Sequence, residues 1–472
     1  MSKGSKAYEL ANNIFLFFIA KFLPKAITFF MVPLYTYCLT TEQYGKIDLM
    51  ITAIQLLIPL LTLGIQDAML YFAMEKATEK SDVLTIGARI VVAGTLLLSV
   101  VCGVGKAIGI INLDTTYLIL FEILYFVEAL KYVISDFCRG INKIKVLTVS
   151  NVLMTVVIVL CNLIFLLGLD WNIAGYLLAM CIGNGIAVII IFFGARLYKY
   201  IKPTVMDKKL TKSIIVFSIP MIFSAIAWWI NTALDKYILE YFHGTSEVGI
   251  MAAAYKIPTI LSMFGTVIAN AYAISAIKEF DMDDSDGFLG KSYSLINACF
   301  VVISSFLMLV NMYMSKILFS KDFFEAWMYV PPLLISALTS QLSITCQQYF
   351  IAMKKTVIVS VTAIIGALLN VVSNILLIPR YGAYGAAIAT AFSFFVVWLI
   401  RYIVLTKHIK LKLKHNLMIE CITYILLIIQ LVLARFGQQF ILCQAALFAA
   451  IVTIYILYIW KNSNRKMAAD KQ

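Results

Sequence analysis

The chain has 472 residues, of which 62% are hydrophobic and 13% are charged, and its mean hydropathy is +0.93. These values exclude a soluble globular domain and predict an all-α polytopic membrane protein. The formal net charge of +13 does not indicate nucleic acid as a partner, because the basic residues stand in short connectors between apolar runs. The 9 cysteines have no paired spacing, so we expect no disulfide, no metal site and no cofactor.

Apolar runs of about 20 residues or more predict about fourteen transmembrane helices, since the hydrocarbon core is roughly 30 Å thick. The predicted helices cover residues 12–38, 46–73, 86–105, 115–135, 146–168, 173–194, 213–240, 247–275, 292–319, 324–350, 356–378, 383–405, 417–435 and 440–460. An even number of spans places both ends of the chain on the same side of the membrane.

The distribution of basic residues predicts which side that is. We assign successive connectors alternately to the two sides of the membrane. About 28 of the 38 Lys and Arg residues then lie on the same side as the N-terminus, and about 6 lie on the opposite side. Lys131, Arg139 and Arg401 are counted here with the connectors of the basic side. Both termini are therefore predicted to be cytoplasmic. The acidic run 281–286, in the connector 279–290, is expected to be a solvated cytoplasmic loop without a specific role.

Two short patterns occur in both halves of the chain. Thr41-Glu-Gln-Tyr-Gly45 resembles Thr245-Ser-Glu-Val-Gly249, and Asn162-Leu-Ile resembles Asn374-Ile-Leu, at an offset of roughly 210 residues. These matches indicate a duplication of six helices in the same orientation. The predicted domains are a six-helix bundle (1–194), a basic cytoplasmic linker (195–212), a second six-helix bundle (213–405), and two additional helices with a cytoplasmic tail (406–472).

The first apolar run carries two lysines, Lys21 and Lys25, which lie four residues apart and hence on one helical face. A cation near the bilayer midplane costs at least about 2.5 kcal/mol, so such a residue is retained where it faces protein or water. In one interpretation Lys21 extends to the interface and only Lys25 is buried. Counted from Asn12, Lys25 lies about 20 Å along the helix, which is too deep to reach the near surface.

Other ionisable side chains also fall within the predicted helices. The acidic ones are Asp48, Asp67, Glu122, Glu128 and Asp235, and the basic ones are Lys236 and Lys256. Because adjacent residues cannot share a helical face, at least one of Asp235 and Lys236 is expected to meet a partner on another helix.

Two interpretations of these charges stay open. They form ion pairs that hold helices together, such as Lys236 with Asp48, or they form a cationic cavity for an anionic head group. The excess of deep lysines, Lys21, Lys25 and Lys256, over deep carboxylates favours the cavity.

Two stretches of the chain carry a family resemblance. The first contains Pro33-Leu-Tyr-Thr36, Glu42-Gln-Tyr-Gly45, Asp48 and Leu60-Leu-Thr-Leu-Gly64; the second contains Ile219-Pro220, Trp228-Trp229-Ile-Asn231, Asp235-Lys236-Tyr-Ile238, Gly249 and Tyr255-Lys256-Ile-Pro258. They resemble the Wzx-type O-antigen and capsule flippases of the multidrug/oligosaccharidyl-lipid/polysaccharide exporter superfamily. Where relatives often have an arginine after the aspartate of helix 2, this chain reads Asp67-Ala-Met-Leu-Tyr71.

The resemblance implies a fold like that of the multidrug (MATE) exporters, with two six-helix bundles facing a central cavity. It also implies a flippase, not an enzyme, in the bacterial inner membrane. This flippase would move undecaprenyl-diphosphate-linked oligosaccharides to the outer leaflet by alternating access, for O-antigen, lipopolysaccharide or capsule synthesis. Expected partners are this lipid-linked glycan, membrane lipid, and the polysaccharide polymerase and chain-length machinery. Substrate would bind to Lys21, Lys25, Lys236 and Lys256, and ion coupling or ion pairing would involve Asp48, Asp67, Glu122, Glu128 and Asp235.

Two other functions are alternatives. A multidrug cation antiporter of the same fold is disfavoured because Lys21, Lys25 and Lys256 would repel cationic drugs. A membrane-embedded polysaccharide polymerase or ligase is expected to present catalytic residues on a substantial outer loop, whereas the predicted outer connectors are only a few residues each.

Overall fold

The computed structural model describes residues 25–75, 78–201, 207–278, 284, 287–353, 355–408 and 417–469. This part of the chain is helical throughout and contains no β-strand. Two compact units divide it, one ending at Ala233 and the other beginning at Leu234. The predicted all-α class is thus confirmed, while the finer domain boundaries at 194, 212 and 405 stay a prediction.

The first unit is built from seven helices and the beginning of an eighth. Residues 25–30 are helical and lead into α1 (Val32–Cys38), followed by α2 (Thr41–Leu61), α3 (Gln66–Met74), α4 (Lys80–Ala107), α5 (Thr115–Gly140), α6 (Ile144–Asn162), α7 (Asn172–Gly194) and α8 (Lys208–His243). A π-helical turn, Leu163–Gly168, extends α6, and a 3₁₀ turn, Leu197–Tyr200, follows α7. Because α5 packs against α3, α4 and α7, it lies at the centre of the unit.

The second unit begins within α8, at Leu234. It continues with α9 (Thr245–Ala254), α10 (Lys256–Lys278), α11 (Phe288–Leu318), α12 (Val330–Ala352), α13 (Thr356–His408), α14 (Leu417–Ala434) and α15 (Ile441–Ala469). 3₁₀ turns precede α12 (Lys321–Met328) and α15 (Gly437–Phe440). The most extensive helix packing in this unit joins α13 to α12.

Each of the fourteen predicted segments contains helix within the described residues. Among these residues, 8 helices are long and apolar enough to cross a membrane, or 9 if α9 and α10 together make one bent span. The protein is therefore a multi-pass membrane protein, and the number of fourteen spans stays a prediction.

The predicted helix 46–73 is interrupted between α2 and α3. Leu63 and Gly64 adopt φ values of 54° and 64°, in the left-handed region where a side chain is unfavourable. A Cβ atom at Gly64 would also lie 3.2 Å from the carbonyl oxygen of Ser218. Hydropathy did not predict this break, because apolar residues continue through it.

Two other predicted helices contain breaks with identifiable causes. The chain bends by 42° between α9 and α10, where Pro258 has no N–H to bond the carbonyl of Ala254. Inside α13, Gly382 has φ 55° and ψ −138° and separates two helical halves. These halves correspond to the predicted helices 356–378 and 383–405.

A polar face of α14, the first of the two additional helices, is hydrogen-bonded to α11 within the second unit. Gln430 donates from Nε2 to the carbonyl of Ser305 at 2.9 Å and accepts from the Ser305 hydroxyl at 2.6 Å. Six residues earlier, the Tyr424 hydroxyl donates to Oδ1 of Asn297 at 2.6 Å. Ser305 and Asn297 both belong to α11, so α14 is hydrogen-bonded along this helix rather than only surrounded by lipid.

The expectation for the acidic connector 279–290 is wrong at one position. Asp284 is 0% exposed, and its two carboxylate oxygens accept hydrogen bonds from the backbone N–H groups of Leu289 and Gly290, at 3.0 and 3.1 Å. These N–H groups belong to the first turn of α11, which has no intrahelical acceptors for them. Asp284 therefore supplies the acceptors for free N–H groups in the first turn of α11 instead of extending into water.

Candidate functional site

A cavity lined by both apolar and polar side chains lies inside the first unit and is the candidate functional site. Its volume is about 210 Å³. The lining comes from the helical residues before α1, from α1 itself, and from α5, α6 and α7, namely Ile27, Thr28, Met31, Tyr35, Glu128, Lys131, Met154, Thr155, Ile158, Val159, Tyr176, Met180 and Asn184. An acid, an amine, an amide and four hydroxyl groups thus face one space within a membrane helix bundle. We call this space the N-unit cavity.

Lys131 is the cation of the N-unit cavity. It lies nine residues before the end of α5, and its ammonium donates a short hydrogen bond to Oδ1 of Asn184 on α7. The same ammonium lies 3.7 Å from the sulfur of Met154 on α6. Asn184 is 1% exposed, and its Nδ2 donates to the carbonyl of Met180 at 2.9 Å, which orients Oδ1 toward the lysine. One ammonium therefore connects three helices.

Glu128 lies three residues before Lys131 on the same face of α5 and also lines the cavity. The two side chains do not form an ion pair within 4.0 Å. Among the residues that the structure describes, no hydrogen bond to the Glu128 carboxylate is found. A half-buried carboxylate thus faces the cavity without a bonded partner in the described part of the chain.

Tyr35 connects the cavity to the buried core of the unit. Its hydroxyl accepts a hydrogen bond from Nδ2 of Asn162 at 3.2 Å, and its ring lies 5.1 Å from the ring of Tyr176 in an edge-to-face arrangement. Asn162 and Tyr35 are 0% and 3% exposed. Since the hydroxyl accepts from Asn162, its own proton stays available to a group in the cavity.

The other acids predicted in the first half have different surroundings. Glu122 accepts a hydrogen bond at 2.7 Å from the Ser99 hydroxyl on α4, and so joins two helices. Asp67 is exposed in the first turn of α3, and Asp48 is half-buried in α2. The structure therefore brings only Glu128, among these four acids, into the N-unit cavity.

In the second unit, Asp235 and Lys236 both meet Tyr255, which lies between α9 and α10. The Tyr255 hydroxyl donates to Oδ2 of Asp235 at 3.0 Å, and the Lys236 ammonium lies 5.8 Å from the centre of the Tyr255 ring. The expected partner from another helix is thus confirmed for Asp235, which is 2% exposed. The predicted ion pair of Lys236 with Asp48 joins residues of different units and stays a prediction.

The predicted substrate lysines are only partly described. Lys21 lies outside the described residues. Lys25 is exposed at the start of the described chain, and Lys256 is half-buried in the first turn of α10, directly after the bend. Their roles in substrate binding stay a prediction.

Two cations that the sequence analysis places with the basic connectors lie inside the helix bundles instead: Lys131 is half-buried and Arg401 is buried. Arg401 is 5% exposed, and its guanidinium donates to Thr362 Oγ1 at 2.9 Å, to the Val359 carbonyl at 3.1 Å, and to Ser343 Oγ at 3.0 Å. It thereby joins α12 to both halves of α13. A signal was present in the sequence, since Lys131 and Arg401 fall inside the predicted helices 115–135 and 383–405.

The helical fold and its long apolar spans define the class, a multi-pass α-helical membrane protein. The chain belongs to the polysaccharide biosynthesis protein family, whose sequence profile matches residues 10–277. The predicted family resemblance is therefore confirmed. No curated protein sequence matches the chain.

Solved structures of transporters share this fold. A lipid II flippase, MurJ, in an inward closed conformation has a TM-score of 0.73 at 14% identity, covering 95% of this chain and 99% of that one. An inward-facing multidrug resistance MATE transporter of the MOP superfamily has a TM-score of 0.65 at 11% identity, covering 81% and 94%. A MOP superfamily transporter from Pyrococcus furiosus, described as having a binding pocket of reverse polarity, has a TM-score of 0.57 at 13% identity, covering 84% and 95%.

At these identities the likeness shows the fold alone. These neighbours are flippases and transporters, not catalytic enzymes.

Proposed function

We propose that the protein is a flippase that moves undecaprenyl-diphosphate-linked oligosaccharide units from the cytoplasmic to the outer leaflet by alternating access. The family match over residues 10–277 carries this proposal, because it joins polysaccharide biosynthesis to a chain with a transporter fold. Transport of a lipid-linked sugar intermediate is the task in polysaccharide synthesis that such a fold can perform. The repeat unit would serve O-antigen, capsule or another surface polysaccharide.

The charge of the substrate fits the charge of the protein. A lipid diphosphate must carry negative charge across hydrocarbon, and ammonium groups lower the cost of that passage. Lys25 is exposed, Lys236 and Lys256 are half-buried, and these lysines together with Lys21 are the proposed substrate-binding residues. A multidrug cation antiporter has the same fold, but a positive binding surface would disfavour its substrates.

The proposed setting is the bacterial inner membrane, with both termini in the cytoplasm. In that orientation the basic connectors face the side on which lipid-linked precursors are made. The polysaccharide polymerase and chain-length machinery, which would act on the translocated glycan, are the proposed protein partners.

The test is the identity of the glycan lipid that accumulates without the protein. Cells lacking it are expected to lose surface polysaccharide and to accumulate an undecaprenyl-diphosphate-linked oligosaccharide that stays in the cytoplasmic leaflet. Mass spectrometry of the lipid extract identifies the repeat unit, and an added copy of the intact gene should restore export. Normal surface polysaccharide with no accumulated precursor, but lost resistance to cationic drugs, would instead support a drug exporter.

A further inference from the structure

We propose that the N-unit cavity is a sugar-binding subsite, which takes the first sugar of the lipid-linked glycan, the one joined to the diphosphate. The proposal rests on the flippase function and assigns the part of the substrate that this cavity recognises. The cavity is lined by both polar and apolar side chains. Such a lining suits a sugar ring, which presents hydroxyl groups at its rim and C–H bonds on its faces.

The volume of the cavity is sufficient for one sugar ring. It measures about 210 Å³, whereas pockets for drug-sized ligands begin at roughly 300 Å³. This space corresponds to about seven water molecules at roughly 30 Å³ each, which a sugar ring with its hydroxyl groups displaces on binding. An oligosaccharide of several rings does not fit, so the cavity selects one sugar of the glycan.

The polar groups of the cavity supply both acceptors and donors, which a sugar hydroxyl needs because it donates one hydrogen bond and accepts others. The Glu128 carboxylate is an acceptor, and no described residue bonds it. The Lys131 ammonium has three N–H donors, of which one bonds Asn184 and another is directed at the sulfur of Met154. Glu128 and the third donor of Lys131, one turn apart on α5, can therefore bond two neighbouring hydroxyl groups.

The buried end of the cavity is aromatic and apolar. The Tyr35 hydroxyl accepts from Asn162, so its own proton can be donated to a sugar oxygen. The ring of Tyr176 lies edge-to-face with that of Tyr35, and Ile158 and Met180 add apolar surface to the wall. These groups provide contacts for the C–H faces of a sugar ring, which a purely polar cavity would lack.

The charges of the cavity exclude the diphosphate itself. The charges of Glu128 and Lys131 cancel, and α6 contributes only uncharged side chains to the lining. A diphosphate in this space would lie next to a carboxylate and be repelled by it. A neutral sugar meets no such repulsion, so the cavity fits the sugar rather than the charged part of the substrate.

The diphosphate has a place beside the opening of the cavity. Thr28, Met31 and Tyr35 line the cavity from one helical face, at positions i, i+3 and i+7. Since Thr28 is exposed and Tyr35 is buried, the cavity extends from the surface to the core over about 10 Å of helix. Lys25, a proposed substrate ligand, is exposed and lies three residues before Thr28 on the same side of the helix. A diphosphate at Lys25 thus places the sugar joined to it at the opening.

The test compares the affinities of two lipids for the full-length protein in nanodiscs, measured by microscale thermophoresis. One lipid is undecaprenyl diphosphate, and the other is the glycan lipid extracted from cells that lack the protein. The wild type is expected to bind the glycan lipid at least about tenfold more tightly, because the sugar adds hydrogen bonds to charged groups. Glycan lipid trimmed to its first sugar by exoglycosidases should keep this preference. Equal affinity for the two lipids, or a preference lost on trimming, would overturn the proposal.

Two variants locate the preference in the cavity. Glu128→Gln should lose most of it, because an amide oxygen is a weaker acceptor than a carboxylate. Thr28→Trp should lose it because a large side chain at this exposed position closes the opening. Both should still bind undecaprenyl diphosphate, which shows that they are folded. Glu240→Gln, which changes an exposed carboxylate near the end of α8, is the control and should keep the preference. A preference retained by both cavity variants would overturn the proposal.

Failure of the subsite and failure of the flippase function give different results. If the wild type binds both lipids with equal affinity and flips the glycan lipid in liposomes, the flippase function stands and only the assignment of the cavity is wrong. If the wild type binds neither lipid and does not flip the glycan lipid, both proposals are contradicted.

Discussion

The ammonium of Lys131 donates its hydrogen bond to Oδ1 of Asn184, a residue 53 positions further along the chain. This contact joins α5 to α7 at the N-unit cavity and places a positive charge beside Glu128. Because both partners are polar groups inside a membrane helix bundle, each is costly to leave without the other.

That dependence leads to the first prediction. Asn184→Ala should destabilise the protein by about 1–3 kcal/mol, since the ammonium loses its acceptor. Lys131→Met combined with Asn184→Leu should be closer to the wild type than Asn184→Ala alone, because both polar groups are then removed together. Thermal unfolding in detergent, followed by size exclusion, measures both variants. If the stability lost by the double variant equals the sum of the losses in Lys131→Met and Asn184→Leu measured singly, the contact between the two side chains does not contribute to stability.

The second prediction concerns Arg401. Arg401→Met should lower the free energy of unfolding by about 3 kcal/mol, because acceptors on α12 and on the first half of α13 lose the donor that they share. Arg401→Lys should also be destabilised, since a single ammonium cannot reproduce the planar fork of the guanidinium. Lys407→Met, an exposed change near the end of the same helix, is the control and should stay within about 0.5 kcal/mol. Equal unfolding temperatures for Arg401→Met and Lys407→Met would contradict the proposed role of Arg401 in joining the helices.

The third prediction concerns Glu247, in the first turn of α9. Its Oε1 accepts from the Tyr329 hydroxyl at 3.0 Å and from the backbone N–H of Ala383 at 3.2 Å, next to the break at Gly382. Glu247→Ala should speed hydrogen exchange at the Ala383 amide and destabilise the unit by about 1–3 kcal/mol. Glu247→Gln keeps an acceptor oxygen and should exchange more slowly than the alanine variant. The same exchange rate in both variants would show that the side chain does not hold this amide.

The fourth prediction addresses membrane topology. Reporters fused after Lys212, Lys414 and Gln472 should all be cytoplasmic, and reporters after Gly168 or Tyr381 should lie on the outer face. The physical reason is the excess of basic residues on one side. Compartment-specific activity of alkaline phosphatase and a fluorescent protein gives the readout. An external position at Gln472 would require an odd number of spans.

The fifth prediction tests the proposed substrate lysines. Lys25→Ala should abolish surface polysaccharide at normal membrane abundance, and Lys25→Arg should retain part of the activity because the charge is kept. Lys256→Ala should behave like Lys25→Ala. If Lys25 instead forms a structural ion pair, the alanine variant should lose abundance and recover it when combined with Asp48→Asn or Glu122→Gln. Full export by Lys25→Ala would remove this residue from the substrate site.

Several features of the protein followed from its sequence alone. Apolar runs located the helices, because the membrane requires long apolar segments irrespective of what they pack against. The motifs around Glu42, Asp235 and Tyr255 indicated the family. Asp235 was also expected to meet another helix, since burying a charge in hydrocarbon requires a partner.

The tertiary structure decided which of the buried charges come together. Hydropathy is an average over about 20 residues, so it cannot report how each helix is rotated or which neighbour it faces. That rotation places Glu128 and Lys131 in one cavity with Asn184, while Glu122 on the same helix turns to Ser99. It also places Arg401 between two helices rather than in a basic connector. The composition of a helix determines that it enters the membrane, and its packing determines which of its polar groups form a site.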